Sequence, residues 1–194
     1  MKIKTIRGVR THDAGSPSYL ARMPAGIPGA ANRHSAGGLT ITPEVQDEDL
    51  PVTAYGVPVK VSATGGMTPV KAGSADSDVY GVLVRPFPLQ AVSTTGYSGA
   101  VDLGPASAVP PTQGTVDVLQ KGFINVLLGG DTAAVKNGQV YIWIAATAGT
   151  SIQGGFVAAA DGGNTILCPA RFRGPADADG NVEIEYGIQP SLFT

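Results

Sequence analysis

Apolar side chains in this chain recur at every second position, in short runs broken by glycine-rich turns, from about residue 38 onward. A period of two puts successive side chains on opposite faces of an extended strand, whereas a helix would need a period near 3.6. Val57, Val59 and Val61 alternate with Pro58, Lys60 and Ser62, while Val140, Ile142 and Ile144 share one face and Tyr141 and Trp143 the other. Val116 and Val118 lead past Gly122 into Ile124, Val126 and Leu128, and Gly122 is the expected place of a bulge. Near the end Val182, Ile184, Tyr186 and Ile188 alternate with Asn181, Glu183 and Glu185, a half-buried strand with Glu183 and Glu185 outward. Turn signals separate these runs: Thr64-Gly65-Gly66, Asn137-Gly138, Asp161-Gly162-Gly163-Asn164 and Asp179-Gly180-Asn181, with a long proline-bearing loop over Gly104–Gly114. Glu44–Asp49 and Thr132–Lys136 have room for one helical turn each. Seven or eight short strands at this spacing predict an all-β fold, an antiparallel sandwich or barrel of jelly-roll type, with under ~10% helix.

Composition agrees: charged residues are only 14%, while 27 glycines and 15 prolines supply turns. Charge is unevenly placed. Residues 1–43 carry Lys2, Lys4, Arg7, Arg10, Arg22 and Arg33 against Asp13, a net +5, and the rest of the chain is −7. The first part also holds Pro17, Pro24 and Pro28 and shows no sustained periodicity. It reads as an extended basic arm over residues 1–40 on an acidic β domain over 41–194; an irregular first section of the same domain is the alternative. Six charges over some forty residues, without interleaved aromatics, do not make a phosphate-tracking surface, so no nucleic-acid partner is expected. MKIKTIRGVR lacks the apolar stretch of a signal peptide and no apolar run approaches a membrane span, so synthesis in the cytoplasm and no membrane partner are expected.

Chemistry is sparse. His12 and His34 both fall in the arm, leaving the β domain without an imidazole base for a nucleophile. The single Cys168, in the apolar run Thr165–Ala170, reads as a small buried hydrophobe and excludes an intrachain disulfide. Leu128-Gly129-Gly130-Asp131 lacks the strand and helix context of a phosphate cradle. Asp177-Ala178-Asp179-Gly180-Asn181-Val182-Glu183 echoes part of a calcium loop, but further ligands are missing and a hairpin turn explains it equally well. Asp177, Asp179, Glu183 and Glu185 could be drawn as paired carboxylates, yet the glutamates alternate with core residues as a solvated face does. No catalytic, metal or cofactor site is expected.

Three segments resemble the structural cement (capsid decoration) proteins of tailed bacteriophages. The first is Pro69-Val70-Lys71-Ala72-Gly73 leading to Val79-Tyr80-Gly81-Val82-Leu83-Val84-Arg85-Pro86-Phe87-Pro88. The second runs from Gln120-Lys121-Gly122-Phe123-Ile124-Asn125-Val126 to Asn137-Gly138-Gln139-Val140-Tyr141-Ile142. The third runs from Gly154-Gly155-Phe156 through Ala170-Arg171-Phe172-Arg173-Gly174 to Asp179-Gly180-Asn181-Val182-Glu183-Ile184. Together they cover roughly residues 57–188; the chain departs from the family's Asn-Ile ending with Gly187-Ile188 and the tail Gln189–Thr194. The resemblance implies a non-enzymatic homo-oligomer, trimer or dimer, on the exterior of the virion capsid, where it bridges neighbouring capsomers of the major capsid protein. Charge, rather than the resemblance, suggests Arg7, Arg10, Tyr19, Arg22 and Arg33 as arm contacts. Arg85 and Phe87 join them as a loop at the end of an apolar strand, unless Phe87 is tucked into the core. A tail-fibre or carbohydrate- or receptor-binding module stays as the alternative; it would expose aromatics on one concave face, and the alternating tyrosines form no clear platform.

Overall fold

A computed structural model describes residues 26–33, 37–86 and 109–187. Among the described residues there are ten strands: β1 Ala31–Arg33, β2 Thr40–Val45, β3 Pro58–Val61, β4 Met67–Pro69, β5 Val79–Leu83, β6 Thr115–Gly129, β7 Gln139–Trp143, β8 Gly155–Val157, β9 Thr165–Phe172 and β10 Asn181–Tyr186. Among the described residues the only helical pieces are 3-10 turns at Asp76–Asp78 and Gly162–Asn164, so the all-β reading holds.

The fifteen-residue β6 organises the molecule because it belongs to two sheets. Its second half closes a five-stranded barrel in the cyclic order β6, β10, β9, β7, β8 and back to β6. A ring of five cannot alternate direction throughout, so one neighbouring pair must be parallel; here it is β6 with β8, through Leu128–Phe156 and Gly129–Val157. That pair, with an isolated parallel bridge between Gln46 and Met67, departs from an all-antiparallel expectation. The first half of β6 pairs with β2 and β5, and β5 continues to β3 and β4 as a second sheet. The bulge expected at Gly122 falls two residues earlier, where the β2 ladder skips Gln120; Gly122 itself pairs with Tyr186 at the change of sheet, buried and at φ +137°, a conformation other residues rarely adopt.

Burial follows the alternation. Val182, Ile184 and Tyr186 point into the barrel from β10, and Ile166, Cys168, Ala170 and Phe172 from β9. Val140, Ile142 and Phe156 complete that core, while Val52, Val59, Met67, Leu83 and Val118 make a smaller one against the second sheet. Val61 is the exception: the β3–β5 register shifts between Val59 and Lys60, and Val61 ends 47% exposed. No helical turn forms at 44–49 or 132–136. Glu44 and Val45 instead extend β2, opposite Val116 and Thr115, and Asp47 Oδ1 accepts the amides of Asp49 and Leu50 in a turn.

Cys168 and Tyr186 lie inside the barrel, and burial pushes the thiol and the phenol far up from their ordinary values. A raised folded-state value means these groups contribute fully below their unfolded values and lose that contribution as pH rises. The barrel is therefore expected to weaken from about pH 8.5–10 upward, where the unfolded thiol and phenol ionise. Tyr186→Phe combined with Cys168→Ala should flatten the alkaline limb of a stability–pH curve measured by denaturant titration; an unchanged limb would contradict this assignment.

Candidate interface

The arm expected over residues 1–40 joins the body earlier than the charge pattern suggests. Ala31 pairs with Ile124 and Arg33 with Phe123, so β1 adds to the same strand that organises the rest. The stretch before it is held tightly. Gly29 donates to the Asn125 carbonyl at 2.8 Å, and Asn125 N–H donates to Ala30 at 3.0 Å. The Asn32 and Asn125 side chains exchange amide hydrogen bonds of 2.9 and 3.2 Å, and Asn32 also donates to Glu183 at 3.1 Å. Asn125 is fully buried between Ile124 and Val126. A polar amide amid an apolar strand needs a partner, and that was the available sign that another segment lies there.

Arg85 fastens the same stretch from the other side. Its backbone N–H donates to Gly29 at 2.8 Å, its Nε donates to the Pro28 carbonyl at 3.2 Å, and its guanidinium lies 5.2 Å from the Tyr55 ring centre. Close approach here requires glycine: Gly29 and Gly56 have φ of +85° and +72°, and a Cβ on Gly56 would lie 2.5 Å from the Gly29 nitrogen. Arg85 is thus engaged within the chain. Arg85→Ala should remove about 1–2 kcal/mol of local anchoring. Amides of residues 26–33 should then exchange faster while those of β9 and β10 do not; equal exchange throughout would contradict the clamp. Arg33 lies in β1, and Arg7, Arg10, Tyr19, Arg22 and Phe87 lie outside the described residues.

Beside the clamp a cleft of about 530 Å³ opens between Tyr55, Val57 and Arg85 on one side and Leu127, Ile152 and Phe156 on the other. Its rim carries large apolar side chains in water: Val109 is 55% exposed, Ile152 51% and Leu127 43%. Arg85 and Asp179 are the charged residues along it. This chemistry suits a packed apolar segment.

The carboxylates of Asp177, Glu183 and Glu185 are committed to structure. Asp177 Oδ1 accepts the amides of Asp179 and Asn181, which makes the calcium-like sequence a side-chain-capped turn. Glu185 pairs with Arg173 at 3.2 Å and Glu183 accepts from Asn32, so these carboxylates brace the barrel wall. Among the described residues no group of three or more His, Cys, Asp or Glu could hold a metal ion, and no helix is long and apolar enough to cross a membrane.

Comparison with known proteins agrees with this architecture. No curated protein matches the sequence. A chain in the solved structure "The capsid of Myoviridae Phage XM1" superposes with a TM-score of 0.59 at 18% identity, covering 91% of this chain and 98% of that one, which shows a shared fold. The family model of the XM1 gp53 minor capsid protein matches residues 16–186, a span that takes in both sheets, the clamp and the last ten residues before it. By that match the chain belongs to the XM1 gp53 minor capsid protein family and is a component of the virion capsid.

Proposed function

We propose that the protein decorates the outer surface of a tailed-phage head and bridges neighbouring capsomers of the major capsid protein, as a non-enzymatic cement. The family match over residues 16–186 carries this reading. Three features support it. The body is a closed barrel braced by a second sheet, a rigid shape suited to a fixed docking geometry. Residues 1–25 carry Lys2, Lys4, Arg7, Arg10 and Arg22 against Asp13, a charge opposite to that of the acidic remainder and suited to an acidic partner surface. Bridging needs little strength at each site, because many weak contacts over a closed shell add by avidity.

A homo-oligomer, trimer or dimer, follows from the symmetry of the substrate, since a shell offers local threefold and twofold axes. Co-sedimentation of purified protein with shells stripped of it tests the function. Saturable rebinding that raises the temperature at which shells break is the expected result, and shells that ignore the protein overturn it. Light scattering of the free protein, set beside its position on the shell, reads the symmetry; a monomer at a general position contradicts the oligomer.

A further inference from the structure

We propose that a pocket beside Trp143, on the outside of the barrel, binds a single neutral sugar ring. It lies between the turn after β6 and the turn after β8 and shares only Gly129 with the apolar cleft. Its volume is about 200 Å³, under the roughly 300 Å³ at which pockets for drug-sized ligands begin, and leaves room for one ring. The site stands on the observations below; only its use rests on the capsid reading.

The aromatic wall is the first observation. Alternation along β7 turns Val140 and Ile142 inward and sets Trp143 on the outer face, half-buried. Its partner on β8 is Gly155, which has no side chain to lay over the indole. The indole Nε1 already donates to the Ala146 carbonyl at 3.0 Å, so Trp143 offers a ligand the apolar surface of its ring. Glycine brings the facing wall close. A Cβ on Gly129 would lie 2.9 Å from the Thr150 carbonyl oxygen, and Gly130 has φ of +73°.

The polar groups are the second. Asp131 Oδ1 accepts the Thr150 hydroxyl at 3.0 Å, and Asp161 Oδ2 accepts Asn164 Nδ2 at 3.1 Å. Each carboxylate is thereby oriented, and among the described residues its other oxygen has no hydrogen-bond partner. Ser151 and Thr132 add hydroxyls, which both donate and accept. A pyranose answers this set, with a C–H face for the indole and hydroxyls for the carboxylates and Ser151. Among the described residues that line the pocket none is basic, so an anion finds no counter-charge. Both aspartates are exposed, and salt screens their charge over about 10 Å at 0.1 M while leaving their lone pairs free to accept. A neutral polyol therefore keeps its contacts in salt, where a cation loses much of its hold. On a head that carries many copies, weak single sites of this kind add by avidity toward a glycan-coated surface.

The chain has one tryptophan, so its fluorescence reads this pocket alone. Titration of the full chain with glucose, galactose, mannose and N-acetylglucosamine should give a saturable change with at least one, at a midpoint of order millimolar. Saturation-transfer NMR should show transfer to the ring protons of the same sugar. Asp131→Asn and Asp161→Asn, at exposed positions, exchange an acceptor for a donor. Each should raise the midpoint about 5-fold, the loss of one hydrogen bond. Asp117→Asn, exposed and outside the pocket, should leave it unchanged. No response by either method, or a midpoint indifferent to both pocket substitutions, overturns the proposal. A response confined to tetramethylammonium chloride and erased by added salt also overturns it, because the pocket would then select cations. None of these measurements involves shells, so a failure here is distinguishable from a failure of the capsid reading.

Discussion

Ile184→Asp is expected to abolish folding. Ile184 is fully buried in the middle of β10, opposite Ile124 of β6 on one side and Phe172 of β9 on the other, with apolar side chains around it. A carboxylate there loses its hydration with no cation to replace it, or takes up a proton and remains a buried polar group. Either route costs more than about 4 kcal/mol, out of a total stability of about 5–15 kcal/mol for a domain. Because β10 touches both β6 and β9, its loss opens the ring. The contrasting variant is Val135→Asp at a position 63% exposed, where a change within about 0.5 kcal/mol is expected. Far-UV circular dichroism and denaturant titration read both; a soluble, cooperatively unfolding Ile184→Asp chain would contradict the barrel core.

Deletion of residues 2–25 is expected to keep the β body and to lose attachment to shells. Both core clusters, the clamp and ten strands are drawn from the described residues, all of them kept by this deletion, so the truncated chain should retain its β signal and a single cooperative transition. A longer deletion through residue 34 would be a different experiment, since it removes β1 and the Asn32 partner of buried Asn125. Arg7→Glu with Arg10→Glu isolates the electrostatic part. Two exposed pairs at about 0.2–1 kcal/mol each weaken one site by up to about 30-fold. The effect should shrink as salt rises, since screening acts over about 10 Å at 0.1 M. Rebinding assays at two salt concentrations measure it. Undiminished binding by the truncated chain would move attachment to the body.

Strand content and inward faces were legible in the sequence where a strand has one wet face and one dry one. In β10 and β7 the alternation maps directly onto burial, and Gly122 marks the change of sheet because only glycine tolerates its backbone. Cys168 reads correctly as core because it shares a face with Ile166 and Ala170. Legibility ends where long-range pairing decides. β1 is Ala-Asn-Arg among glycines and alanines, with no alternation of its own, and it is held by a reciprocal amide pair 93 residues away. Val61 alternates perfectly in sequence and is turned out by a register shift that only the partner strand imposes. The cleft was invisible for the same reason: Tyr55, Leu127 and Ile152 are far apart in the chain, and nothing local says that their exposed surfaces converge.

The proposed role is to hold neighbouring capsomers together from outside the shell. Electron cryomicroscopy of shells with and without the bound protein tests it most directly. The expected result is barrel-shaped density on the outer surface, on a local symmetry axis, each copy touching at least two capsomers. Density confined to the inner face, or copies that each rest within a single capsomer, would contradict it.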